Sequence, residues 1–197
     1  MQNPLLFLFT FLPLFIQAQL NGTYTIGGAN PDYASIGAAV TALNQTGVNG
    51  PVVFNIRDGS YVEQSLINAI PGSSLANTVT FQSESGDSSA VIWEWLNGTL
   101  ATNYVFFAQN LTNVYFKKLT LKRPATGNNG RTVAYISNSA NIHFENCVIS
   151  GSGEANNHQE NLIDVALCSS LYFKNNRFVN GFTAVTFAGN YQGPFVD

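Results

Sequence analysis

Three ring-bearing and three charged side chains recur at one spacing along this 197-residue chain. Tyr115, His143 and Tyr172 stand 28 and 29 residues apart, and Lys117, Glu145 and Lys174 repeat those steps. Rings beside charges suit contact with a sugar polymer: an apolar ring meets its C–H face, and charges meet its polar groups. The same residues also read as a cross-strand ladder of stacked rings and a plus–minus–plus charge row, each pair worth about 0.2–1 kcal/mol. A second set of candidate binding residues, Arg123, Arg131 and His158, falls with Glu154 and Glu160 in two polar segments, 122–131 and 150–160. With the shorter 179–182, these segments leave the repeats at one corner and are predicted to form a rim over one face, where loops on a rigid scaffold often carry function.

No catalytic residue is assigned. Asp164 is the only carboxylate in its strand column and has no acidic partner in 132–137; it reads as a solvated outward residue. Asp58, Glu63, Glu84, Asp87 and Glu94 are scattered, so no metal site or other cofactor is expected. Cys147 and Cys168, the only cysteines, lie 21 residues apart, less than one repeat, and are predicted to remain unpaired thiols.

The elements that position these residues follow from a motif. It reads Asn113-Val114-Tyr115-Phe116, then Asn141-Ile142-His143-Phe144, then Ser170-Leu171-Tyr172-Phe173. Short strand-like runs at a fixed period, in a chain rich in turn formers, signal a solenoid. The fold class predicted is all-β: a right-handed parallel β-helix (solenoid) with an N-terminal amphipathic capping helix. One strand column holds 52–56, 79–82, 113–117, 141–145 and 171–174. A second holds 104–108, 132–137, 162–167 and 183–188, and a third 119–121, 147–149 and 176–178. Period-2 alternation turns Val114, Phe116, Ile142, Phe144, Leu171 and Phe173 inward, so Phe116, Phe144 and Phe173 should stack in the core. Asn146, Asn175 and Asn176 follow the strands, where asparagine tolerates left-handed turns. The step from Phe81 to Phe116 is 35 residues, and the insertion it implies is placed around 93–103.

Upstream, Asn30 as N-cap, Pro31 at the first position and Gly47 as stop predict a helix over 31–46. Tyr33, Ile36, Val40 and Leu43 share one face, suited to cover the open end of the first coil. Residues 5–16 form an apolar run too short to span a bilayer, and 1–19 is predicted to be a secretory signal peptide. Residues 20–50 then form the cap region and 51–197 the coils. The chain is expected to be the N-terminal part of a longer protein, with no membrane span after cleavage. Only 10% of residues are charged and the net charge is −3, which excludes the basic stripe of a nucleic-acid binder.

The stretch 24–87 resembles secreted proteins of the pectin-lyase-like β-helix superfamily. The matching residues are Asp32-Tyr33-Ala34-Ser35-Ile36, Ala38-Ala39-Val40, Pro51-Val52-Val53-Phe54-Asn55-Ile56, Gly59-Ser60-Tyr61-Val62-Glu63-Gln64 and Val79-Thr80-Phe81-Gln82. Their order is similar to the start of pectin methylesterases, and closer to large Bacteroidetes-type surface proteins that usually end in a type IX secretion sorting domain. The resemblance implies the fold and export; from the residues present, the function expected is that of a secreted or outer cell-surface protein, non-catalytic and adhesin-like, with a polysaccharide or cell-surface glycan as partner. The alternative is a polysaccharide lyase, esterase or hydrolase whose catalytic coils lie beyond residue 197. The esterase pattern of paired acids on central strands is not matched: 183–188 has no acid where one would be needed.

Overall fold

The computed structural model describes residues 18–96, 102, 104–124, 132–153, 161–189 and 195–196. The apolar run at 5–16, Arg131, Glu154, His158 and Glu160 lie outside them. Strand β1 (Leu20–Ile26) and helix α1 (Ile36–Thr46) precede the first turn of the solenoid, β2 (Val48–Ile56), β3 (Gly59–Val62) and β4 (Ser65–Ile67). Next come β5 (Val79–Ser83), β6 (Val91–Glu94) and β7 (Phe106–Gln109), then β8 (Thr112–Lys117), β9 (Thr120–Lys122) and β10 (Ala134–Ser137). The fourth turn is β11 (Ala140–Glu145), β12 (Val148–Ser150) and β13 (Asn161–Ala166). The fifth is β14 (Ser169–Lys174), β15 (Arg177–Val179) and β16 (Thr183–Ala188), and β17 (Phe195–Val196) follows. Strands stack in three parallel sheets: β1-β2-β5-β8-β11-β14-β17, then β3-β6-β9-β12-β15, then β4-β7-β10-β13-β16. The chain is an all-β parallel solenoid of about five turns with one short helix.

The predicted core ladder is present and longer than expected. Phe54, Phe81, Phe116, Phe144 and Phe173 stack with successive centroid separations of 5.0, 5.8, 5.1 and 5.3 Å. Phe106 joins from the third sheet, 4.8 Å from Phe116. Each ring buries on the order of 150–250 Å², so this column is the main apolar mass of the core.

Corners are made by left-handed residues in register. Lys118, Asn146 and Asn175 (φ 53, 55 and 54°) turn the chain from the first sheet to the second. Asn110, Asn138 and Leu167 (φ 55, 47 and 55°) turn it from the third back to the first. Asn113, Asn141 and Ser170 (φ 58, 56 and 55°) open each repeat motif in the same conformation. Asparagine tolerates this region because its short amide bonds locally. Asn176 acts differently from expectation: its Oδ1 accepts from the Cys147 N–H (2.9 Å) and its Nδ2 donates to the Phe144 carbonyl (2.8 Å), tying two turns together.

The helix begins later than predicted. Its N-cap is Ser35, whose Oγ accepts from the Ala38 N–H at 3.1 Å, and Asn30 sits at φ 47° outside it. Strand pairing holds residues 32–33: the Tyr33 N–H donates to the Thr25 carbonyl (3.0 Å), and the Asp32 carboxylate accepts from the Thr25 N–H and hydroxyl (2.7 and 2.8 Å). Gly47 ends the helix at φ 68°, as expected, and Ile36, Ala39, Val40 and Leu43 are buried. The Gly59–Glu63 stretch fastens this region. Glu63 accepts from the N–H groups of Ile36 and Gly37 (2.9 and 2.7 Å) at the positive end of the helix. The Tyr61 hydroxyl reaches the carbonyls of Arg57 (2.8 Å) and Ile26 (3.2 Å), leaving no room for a Cβ at Gly27.

The insertion depends on which turn is compared. Against the third turn, Phe81 pairs with Phe116 and Ile92 with Thr120, so extra residues fall between β5 and β6, in 84–90. Against the first, Val62 pairs with Glu94 and Ser65 with Phe106, so extra residues also fall between β6 and β7, within the stretch expected. Trp93 is instead fully buried in β6, paired with Tyr61 and Leu121. No helix among the described residues is long and apolar enough to cross a membrane.

Candidate functional site

Outward residues of the first sheet come from the alternate positions of β8, β11 and β14. Register places Tyr115, His143 and Tyr172 on consecutive rungs, and Lys117, Glu145 and Lys174 beside them. The Tyr115 and His143 rings lie 4.1 Å apart at 18°, and His143 and Tyr172 4.2 Å apart at 10°. Lys117 pairs with Glu145 at 3.2 Å, and its ammonium lies 5.0 Å from the centre of the Tyr115 ring. Such stacking covers both faces of His143 and one face of each tyrosine with another ring. What the column offers outward is therefore mainly edges: two phenol hydroxyls, an imidazole edge and charged ends.

The imidazole is oriented from below. His143 Nε2 is 2.8 Å from Asn141 Oδ1, and Asn141 Nδ2 donates to Asn113 Oδ1 at 2.8 Å. An amide oxygen only accepts, so Nε2 carries the proton and Nδ1 of the neutral ring is an acceptor. Burial pushes the His143 pKa below its ordinary 6.5; Lys117 adds to this and Glu145 opposes it. A concavity of about 630 Å³ opens here, lined by His143, Glu145, Tyr172, Lys174, Asn175 and Asn176 among others.

The other predicted residues are dispersed. Arg123 is buried at 3% exposure, where its guanidinium donates to the Trp95 carbonyl (2.6 Å) inside the corner instead of standing on a rim. Arg131 and His158 are outside the described residues. Asp164 points outward on β13 and accepts from Thr132 Oγ1 (2.7 Å) and Asn161 Nδ2 (2.9 Å); its neighbour on β16 is Thr186. Asp58 accepts from Ser85 (2.6 Å), Glu84 pairs with Arg57 (3.4 Å), and Glu94 holds Ser60 (2.7 Å) and Lys122 (3.7 Å). No group of three or more His, Cys, Asp or Glu side chains able to hold a metal occurs among the described residues. Both cysteines are free and buried; burial raises the Cys147 pKa to about 11 and also raises that of Cys168.

Sequence reasoning missed a second outward aromatic group, on the third sheet. Leu66, Phe107 and Tyr135 occupy consecutive rungs of β4, β7 and β10. Phe107 meets Tyr135 edge to face (5.5 Å, 78°), and Tyr104 meets Phe107 similarly (5.8 Å, 65°). Extending period-2 alternation into 104–108 and 132–137 would have turned Phe107 and Tyr135 outward.

No family model matches the sequence, and no curated protein matches it significantly. Solved structures do match. The pectin methylesterase PemA of Erwinia chrysanthemi superposes with a TM-score of 0.63 at 11% identity, over 90% of this chain and 54% of that one. The Aspergillus niger pectin methylesterase gives 0.52 at 15% identity, over 87% and 58%. Escherichia coli YbhC gives 0.57 at 13%, over 96% and 68%. The chain shares their fold. It spans a little over half the length of the two pectin methylesterases, and at these identities the likeness speaks for the solenoid alone.

Proposed function

We propose that this is an exported β-helix protein that engages an acidic polysaccharide on the outward face of the first sheet. The observation that carries the reading is the stacked Tyr115–His143–Tyr172 column beside Lys117, Glu145 and Lys174, at the rim of the concavity. Lys117 and Glu145 offset each other, which leaves Lys174 as the surplus cation beside hydroxyl and imidazole edges. That set matches a sugar carboxylate flanked by hydroxyls. Right-handed winding, a capping role for α1, a non-catalytic adhesin-like part at the cell surface and type IX export belong to the same reading.

The test is affinity electrophoresis of the purified protein through gels containing polygalacturonate. Retardation of the wild type, reduced about tenfold in Lys174→Gln as for loss of one charge-assisted hydrogen bond, supports the reading. Wild-type mobility unchanged by the polymer sinks it. A second reading, a polysaccharide esterase, is favoured by the pectin methylesterase likeness. It predicts that the protein releases methanol from methyl-esterified pectin and that Asp164→Asn lowers the rate; no methanol from the full-length protein removes it.

A further inference from the structure

The aromatic group on the third sheet differs from the stacked column in what it leaves open. Rings that meet edge to face cover only part of each other, so ring surface remains toward solvent. Tyr135 is 39% and Leu66 44% exposed, large values for apolar groups on strands. The group rests on a rigid base. Phe106, next to Phe107, is fully buried in the core stack. Gln64 Nε2 donates to the Tyr104 carbonyl (2.7 Å), and Asn44 Nδ2 to that of Leu66 (2.9 Å). A platform already ordered costs less to bind.

Its charge is equally distinctive. The column runs Leu66, Phe107, Tyr135, Asp164, Thr186 in register, and the neighbouring outward positions are Gln109, Ser137, Ala166 and Ala188. Neither row contains a cation. Asp164, one rung beyond Tyr135, is fixed by Thr132 and Asn161, each of its oxygens accepting one bond. A carboxylate oxygen can accept a second, so Asp164 can still receive bonds from hydroxyl groups. Open ring surface next to a carboxylate suits a ligand with an apolar C–H face and donating hydroxyls, and repels one with its own carboxylates.

We propose that Phe107, Tyr135 and Leu66, with Asp164 at their edge, form a binding site for an uncharged saccharide, its pyranose ring lying on the Phe107–Tyr135 surface. This site is separate from the first-sheet face and stands whether or not that face binds. The experiment titrates the whole protein with galactohexaose and with hexagalacturonate, by calorimetry and by saturation-transfer NMR. Galactohexaose should bind, with saturation reaching its ring C–H protons. Tyr135→Ala should weaken that binding several-fold, Tyr135→Phe should retain most of it, and Lys174→Gln should leave it unchanged. Phe107→Ala serves as a second variant should Tyr135→Ala fail to fold. Absence of galactohexaose binding, equal binding of hexagalacturonate at this site, or insensitivity to both ring deletions would overturn the proposal. So would a concentration-dependent dimer in sedimentation that Tyr135→Ala abolishes, since the face would then be covered by a second copy.

Discussion

On the first sheet the outward rings lie parallel, 4.1 and 4.2 Å apart; on the third they meet edge to face at 5.5 and 5.8 Å. Both sets stand on parallel strands whose rungs are about 4.8 Å apart. The difference comes from what occupies the neighbouring rungs. His143 has an aromatic ring on each side in register, and Asn141 fixes its edge, so three flat groups align. Phe107 has Tyr135 on one side and Leu66 on the other, while Tyr104 approaches from the connection before the strand. An uninterrupted aromatic run thus consumes its own faces, whereas an interrupted one keeps them open. Aromatic content alone does not tell a ladder from a platform.

The largest effect comes from a position that serves both faces. Phe116 contacts Phe81 and Phe144 along the first sheet and Phe106 of the third. Phe116→Ala should cost about 3–5 kcal/mol in urea unfolding and loosen both aromatic groups together. Loss of order on one face alone would show that the two are not supported by a common core.

A direct contrast follows from the contacts each ring makes. His143→Ala removes two stacked contacts and should destabilise by about 1–3 kcal/mol, at about 0.5–1.5 kcal/mol per aromatic pair. Tyr135→Ala removes one edge contact of an exposed ring and should cost about 0.5–1.5 kcal/mol. Equal costs in denaturant titrations would break the distinction between ladder and platform.

The smallest effect is a pH dependence confined to the ladder. The folded state holds the His143 pKa below 6.5, so below that pH the unfolded chain binds more protons than the folded one. Stability is therefore full above about pH 6.5 and declines as pH falls toward the lowered folded value. His143→Gln should flatten Tm between pH 7 and 5 by removing this contribution. An unaltered pH slope in that variant would mean that other groups set it.

Much of the first sheet was legible because one signal, phenylalanine recurring at steps of 27, 35, 28 and 29 residues, coincides with a physical column. The outward ladder followed by alternation. The helix start was misread because apolar spacing ran back through Tyr33, while pairing with β1 holds that residue in an extended bridge. Four-residue β6 was too short to announce itself, so Trp93 looked like part of a loop. Arg123 looked like a rim charge, but in the fold its guanidinium turns inward to the carbonyl of Trp95 on the preceding turn. The left-handed role of Asn113 and Asn141 was visible only as an asparagine opening the repeat.

The 84–90 segment bears on protein engineering. The extra residues leave the corner between β5 and β6, yet pairing is undisturbed on both sides, from Phe81↔Phe116 to Ile92↔Thr120. Lengthening a surface connection costs little once its ends are held, because closure entropy grows only with the logarithm of length. That corner is therefore a natural graft point: an epitope or reporter peptide placed there would be displayed beside the solenoid while both outward aromatic groups keep their places.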